Sequence, residues 1–350
     1  MKKIISALLS LLLIFSFASC SAGNQSEKQE MFKKDFLDLF DTASSITAAD
    51  SSQEAFNAHF EAVYGELREY SQLYDIYNSY DGLINLKYVN ENAGKAPVKV
   101  DKKIIELLNF GKEAYSLSGG SVNIALGEVL SLWHTERENG ISNPDAARLP
   151  DMQLLSEKAL SSDIDDLIID GESCTVFFNN PDMRLDVGAI TKGFVCEKIS
   201  EFITENNIWS SALINLGGNI KTLGYKYDDL KTPFAVGIEN PDGGEYINII
   251  EIADGKTAAT AGDYQRYYTV NGKRYCHIIS PKTLMPAEYV SAVCVVCTDS
   301  AEADALSTAL FLMSVDEGRA FVEELGSAEA VWIDKDGNVF YSSGFEDLIR

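Results

Sequence analysis

Tyr267-Tyr268-Thr269-Val270-Asn271-Gly272-Lys273-Arg274-Tyr275-Cys276-His277-Ile278-Ile279 is the stretch that decides the fold class. Two short runs of β-branched and aromatic residues flank Asn271-Gly272, a dipeptide suited to the positive φ angles of a tight hairpin turn. So short a connection makes the strands antiparallel, because parallel neighbours need a long crossover. The same rhythm recurs over Cys174–Phe178, Ser211–Leu216, Phe234–Ile238, Tyr246–Ile252 and Val290–Cys297. Helical spacing is interleaved over Thr191–Glu205, Glu302–Met313 and Asp316–Leu325. Together these specify an α+β fold of mainly antiparallel sheets with flanking helices, rather than a doubly wound parallel sheet.

Toward the N-terminus, Met31–Phe40 reads as a short helix ending in Phe40-Asp41-Thr42. Glu54–Tyr70 reads as a stronger one, since Phe56, Phe60, Val63, Leu67 and Tyr70 give it a single apolar face. Lys102–Leu117 is a third helix, stopped at Ser118-Gly119-Gly120, where glycine supplies a left-handed turn. Residues 142–165, with Pro144 and Pro150, read as a surface excursion. There is no internal repeat and no Pro- or Ser-rich linker after residue 30, so residues 31–350 are expected to form one domain.

The chain has 350 residues and is 46% hydrophobic, enough for a substantial core. Lys and Arg total 29 against 53 Asp and Glu, a net charge of −24. A phosphate-tracking surface for nucleic acid would work against that field, so no nucleic acid partner is expected. The same field makes a bound cation and a few placed basic residues necessary for any anionic nucleotide. Lys2 and Lys3, the apolar run Ile4–Phe17 and then Ala18-Ser19-Cys20 have the pattern of an export signal. The run is short for a membrane span. Small residues directly before a cysteine resemble a lipoprotein cleavage site, which makes residues 1–19 the signal and Cys20 the lipidated first residue. An ordinary secretory signal is the alternative. Residues 20–30 then form a polar tether, and the protein is expected outside the cytoplasmic membrane, held to it by acyl chains.

Five cysteines remain, an odd number that cannot all pair within the chain. Cys294 and Cys297 form a C-x-x-C inside Val293-Cys294-Val295-Val296-Cys297, which reads as a buried strand, where residues three apart face opposite sides. Small buried apolar residues are the better reading than a redox or zinc pair.

Three segments carry chemistry: Leu185-Asp186-Val187-Gly188-Ala189-Ile190-Thr191-Lys192-Gly193, His277-Ile278-Ile279-Ser280-Pro281 and Ala303-Asp304-Ala305-Leu306-Ser307-Thr308. The first turns through Gly188 into a helix starting near Thr191, whose free N–H groups and positive dipole end, with Lys192, would suit phosphate oxygens. In the third, Asp304 and Thr308 lie four apart and so share one helical face, where both oxygens can reach one cation.

The order and spacing of these segments resemble the ApbE family, the FAD:protein FMN transferases. The first is close to the family's L-D-x-G-A-I-A-K-G-Y, with Thr191 for alanine and Phe194 for tyrosine. Asn215-Leu216-Gly217-Gly218-Asn219 resembles N-x-G-G-N, Gly237-Ile238-Glu239-Asn240-Pro241 resembles G-I-x-x-P, and Ala258–Arg266 resembles A-T-S-G-x-Y-x-R. The resemblance implies that Asp186 and Lys192 contact FAD and that Mg2+ is held by Asp304, Thr308 and the main-chain carbonyl of Ala189. It places His277 at the family's H-I-x-D-P histidine, the catalytic group, although the aspartate is Ser280 here. Ser121, Val122 and Asn123 fall where many members have G-x-F-D against the flavin, so a charge and an aromatic are missing, and ring recognition falls to Tyr80, Trp133 or the backbone of residues 121–123. The implied reaction is Mg2+-dependent transfer of FMN from FAD to a threonine hydroxyl of an acceptor flavoprotein, releasing AMP. FAD hydrolysis to FMN and AMP, or flavin or solute binding without turnover, are the alternatives left by Ser280 and Asn123.

Overall fold

The computed structural model describes residues 30–350, so the signal segment and Cys20 lie outside the described residues. Eight strands form one sheet whose spatial order equals their chain order: β1 (Glu30–Phe36), β2 (Ser44–Asp50), β3 (Ala212–Leu216), β4 (Asn219–Leu223), β5 (Thr257–Gly262), β6 (Val290–Cys297), β7 (Glu329–Asp334) and β8 (Val339–Tyr341). Every neighbouring pair is antiparallel. The helices and small ribbons are insertions into this meander. Between β2 and β3 come α1 (Gln53–Leu73), α2 (Lys102–Leu117), α3 (Gly127–Ser142) and α4 (Thr191–Glu205); between β6 and β7 come α5 (Ser300–Phe311) and α6 (Val315–Leu325). The α+β architecture is the one the hairpin spacing predicts. The hairpin itself forms, Tyr267–Val270 against Lys273–Cys276, with φ of 51° at Asn271 and 80° at Gly272. Among the described residues, no helix is long and apolar enough to cross a membrane.

The unbroken apolar run of β6 follows from burial on both faces. Val293, Val295 and Cys297 join the cluster built with Leu306, Leu310 and Phe311 of α5. Cys294 and Val296 face the opposite cluster, which holds Val236 and Ile250 of a two-stranded ribbon, Phe234–Ile238 with Asn248–Ile252. The two thiols therefore point to opposite sides, as the strand reading requires.

Met31–Phe40 is not helical: Glu30–Phe36 is an edge strand paired with β2. Phe32 and Phe36, an even number of residues apart, lie on one side, where Phe32 meets Phe56 at 5.7 Å and Phe36 meets Phe60 and Tyr64 at 6.0 and 5.5 Å. Lys34 continues that side by placing its ammonium 4.2 Å from the Phe60 ring centre. Packing onto α1 thus overrides local helix preference. The excursion over 142–165 contains a helix of its own, Met152–Ala159, capped by Asp151, whose carboxylate accepts from Gln153 and Leu154 N–H groups.

Candidate active site

The site is built where α4 and α5 touch. The Thr191 hydroxyl does not cap α4; it donates to the Val187 carbonyl at 2.8 Å. The Gly193 N–H, free in the first turn, instead donates to Asp304 Oδ2 at 2.8 Å. A Cβ on residue 193 would sit 2.2 Å from the Ser300 carbonyl oxygen and 2.4 Å from Asp304 Cβ, so only glycine lets the helices meet. The anion at this helix start is the protein's own carboxylate, where the sequence suggested phosphate. A phosphate near this helix start would meet Lys192 rather than the Gly193 N–H.

Asp304 is buried, and that desolvation raises its carboxyl pKa; Lys192, the Gly193 N–H and the Asn219 amide pull the other way. Lys192 Nζ stands 3.9 Å from Asp304 Oδ1, attracted but outside hydrogen-bond reach. Thr308 lies one turn further along α5 on the same face. Its hydroxyl has no hydrogen-bond partner among the described residues, whereas that of Ser307 is spent on the Asp304 carbonyl at 2.9 Å. The Ala189 carbonyl likewise receives no backbone N–H. Among the described residues no group of three His, Cys, Asp or Glu side chains is arranged for a metal. The unspent donors here are one carboxylate oxygen, one hydroxyl and one carbonyl, an oxygen-only set that fits a hard cation such as Mg2+.

Beside this set, Asp186 and His277 stand among basic side chains. The Asp186 N–H donates to the Ile124 carbonyl at 2.8 Å, which lays residues 121–126 alongside Asp186. Its Oδ1 accepts from the Gly188 N–H at 2.9 Å. Surrounding protein desolvates the carboxyl and raises its pKa, opposed by Gly188 and by Arg184, His134 and Arg137. His277 follows the hairpin, its N–H donating to the Arg266 carbonyl at 3.1 Å. Its ring Nδ1 is 3.2 Å from the same oxygen, so Nδ1 carries the proton and Nε2 keeps a free lone pair. Part of the ring remains open to solvent, yet desolvation first, then Arg266, Lys192 and Arg137, push its pKa down to about 3. The imidazole is neutral at ordinary pH.

The structure thus links Asp186, Lys192, His277 and Asp304 by way of basic groups: Lys192 stands 3.9 Å from Asp304 and acts on His277, and Arg137 acts on both His277 and Asp186. Thr308 follows Asp304 by one helical turn. Tyr80 stands in a neighbouring loop, its hydroxyl donating to Asp75 Oδ2 at 2.8 Å. Val122 is buried in the core and its N–H is taken by the Ser118 hydroxyl. Asn123 spends both ends of its amide on the fold, donating to the Ser162 carbonyl and accepting from the Ala125 N–H. With Ser121 these residues can offer a flavin backbone rather than the missing charge and ring. Trp133 is buried too, its indole N–H donating to the Leu284 carbonyl at 2.9 Å. Sequence reasoning passed over Arg137, Arg184 and Tyr77. Arg184 could have been found two residues before Asp186, and Arg137 one helical turn beyond Trp133.

The ApbE family profile matches residues 40–332, most of the described chain. The chain belongs to the ApbE family. Among its relatives, the FAD:protein FMN transferase of Treponema pallidum is 34% identical over 278 residues, 76% of this chain and 75% of that one. That of Klebsiella pneumoniae is 31% identical over 281 residues, 78% of this chain and 84% of that one. The crystal structure of the ApbE protein of Thermotoga maritima superposes with a TM-score of 0.78 at 25% identity, covering 92% of this chain and all of the other. The flavin transferase ApbE of Vibrio cholerae shares the fold, with a TM-score of 0.74 at 22% identity. The ApbE profile spans both halves of the site, the α4 start and the α5 face.

Proposed function

We propose that the chain is an enzyme, an FAD:protein FMN transferase, that moves FMN from FAD onto a threonine hydroxyl of an acceptor flavoprotein. The observation that supports this most is Lys192, which stands 3.9 Å from Asp304 of the oxygen-only set and acts on the neutral His277 imidazole. Asp304, Thr308 and the Ala189 carbonyl would hold Mg2+, which when bound supplies positive charge to the pyrophosphate. Lys192 adds a second positive charge beside it. His277 Nε2 takes the proton of the acceptor hydroxyl as its oxygen bonds to the FMN phosphorus; the P–O bond to AMP breaks and AMP carries away the electron pair. Incubation with FAD and Mg2+, with and without a threonine-bearing acceptor, tests this. A flavin-labelled acceptor and equimolar AMP are expected; AMP without label would make the enzyme a hydrolase, and neither product would make it a binding protein.

The residues before 30 support an extracytoplasmic protein anchored through lipid on Cys20, since processing at such a cysteine supplies the two or more chains that stable anchoring needs. Cys20→Ala should move the protein from the membrane fraction to the soluble one. Wild-type protein found unmodified and free would overturn the anchor.

A further inference from the structure

Arg137, Arg184, Arg266 and Lys192 bring four positive charges close to Asp186 and His277. Trp133, Arg137 and Gly140 share one face of α3, and that face meets the hairpin. The Trp133 ring centre is 6.5 Å from that of Tyr268 and 6.3 Å from that of Tyr275. A Cβ on Gly140 would lie 2.7 Å from the Tyr268 ring. Tyr268 and Tyr275, directly paired, project to the same side of the hairpin as Arg266 and His277. Arg137 is thereby directed at the catalytic side, and its side chain is only 17% exposed. Its Nη2 donates to His134 Nδ1 at 2.8 Å, and the Tyr77 ring lies 5.3 Å from the His134 ring. That acceptor role places the His134 proton on Nε2, and burial together with Arg137 keeps the ring neutral.

Among the described residues, the one carboxylate within 4.0 Å of Arg137 is that of its exposed neighbour Glu138, at 3.6 Å, while Asp186 acts on it from further off. Among the described residues, Arg184 and Arg266 have no carboxylate within 4.0 Å. In a chain of net charge −24, three guanidinium groups stand close enough to Tyr77 to act on its hydroxyl. Exposed Arg266 donates to the Asp41 carbonyl at 2.9 Å, whereas Arg137 is the one held largely out of water without a close carboxylate of its own beyond Glu138. A guanidinium taken from water without an anion is costly, and its planar fork matches phosphate oxygens.

We propose that Arg137, held in place by His134, is a phosphate anchor for the FAD pyrophosphate, with His134 as its positioning residue. This rests on the flavin-transferase reading. The test is flavin fluorescence titration of the full chain with FAD and with riboflavin, which has the ring system but no phosphate. Arg137→Met keeps the aliphatic stem and removes the fork. It should weaken FAD binding by about tenfold to a hundredfold, the range for a hydrogen bond to a charged group, and leave riboflavin binding unchanged. Arg137→Lys, which preserves charge and packing, should fall between. Equal losses for both ligands, or none for FAD, in a variant with unchanged circular dichroism would overturn the anchor while leaving the reading intact. A wild-type protein that binds neither flavin overturns both.

Discussion

Two lysine–carboxylate pairs join α4 to its neighbours, and they differ in completeness. Glu197, on the side of the helix facing β4, is closed upon: Lys221 Nζ lies 2.9 Å from Oε2 and 3.1 Å from Oε1, and donates onward to the Thr298 carbonyl at 2.7 Å. The Ser300 N–H at the start of α5 adds a 2.8 Å bond to Glu197 Oε2. Lys192 and Asp304 use the same chemistry but stop at 3.9 Å, on the helix whose Thr308 hydroxyl finds no hydrogen-bond partner among the described residues. The closed pair fastens α5 to α4; the open pair leaves charge available to a guest. Function shows here as incompleteness beside a finished structural counterpart.

The largest test of that contrast removes the open carboxylate. Asp304→Ala should abolish Mg2+-dependent AMP release and flavin labelling while the protein stays folded. Asp304→Asn, which keeps an acceptor for the Gly193 N–H, should still be poor, because a hard cation loses a charged ligand. Normal AMP release from either variant would take Asp304 out of the site.

Breaking the closed pair should have the opposite signature. Glu197→Gln leaves Lys221 buried without its counterion and should cost about 3–5 kcal/mol in denaturant unfolding, whereas Lys192→Met should barely change stability but slow turnover. If Lys192→Met destabilises the fold as much as Glu197→Gln, the distinction between the pairs fails.

His277, on which Lys192 of the open pair acts, sharpens the comparison. His277→Ala should still bind FAD, since Asp186, Lys192 and the cation set are untouched, and transfer should fall by about a hundredfold or more. A well-folded variant transferring FMN at the wild-type rate would remove the catalytic role; parallel losses of binding and stability would make it a packing residue.

The smallest effect is on acid stability. In the folded chain His277 resists protonation down to about pH 3, whereas its ordinary value is 6.5. As pH falls from about 6.5 the unfolded state takes up the proton first, so stability is lost on the way down, and the loss levels off near the folded value. His277→Ala lacks this component, so its melting temperature should fall less than that of wild type between about pH 7 and pH 4.5. Identical slopes would mean that the imidazole is not desolvated.

Local signals made the open pair readable and the closed one hidden. Asp304 and Thr308 announce themselves by spacing, and the helix over Thr191–Glu205 by periodicity, because both depend on residues within a turn or two. The hairpin was legible for the same reason. Lys221 reads as one more surface lysine until β4 is known to pair with β3 and β5. Ser44–Asp50 escaped notice because, with only β1 and β3 to explain it, its small residues Ser44, Ser45, Ala48 and Ala49 are buried on both faces and show no alternation. Met31–Phe36 was misread because its side chains answer to α1, which starts many residues later. Arg137 and Arg184 were missed since an arginine's destination depends on which surfaces meet around it.

The placement of Cys294 and Cys297 on opposite faces of β6 sets a timetable for thiol chemistry. In the finished sheet the two sulfurs look into separate apolar layers, and burial pushes their pKa values to about 11 and about 12, so neither is a ready nucleophile. That protection needs both sheet neighbours of β6 in place, and β7 is separated from it in the chain by α5 and α6. Oxidation therefore competes with sheet closure while the chain is folding and has little to act on afterwards. In an oxidising compartment, a reductant would change the yield of refolding rather than the lifetime of the native protein.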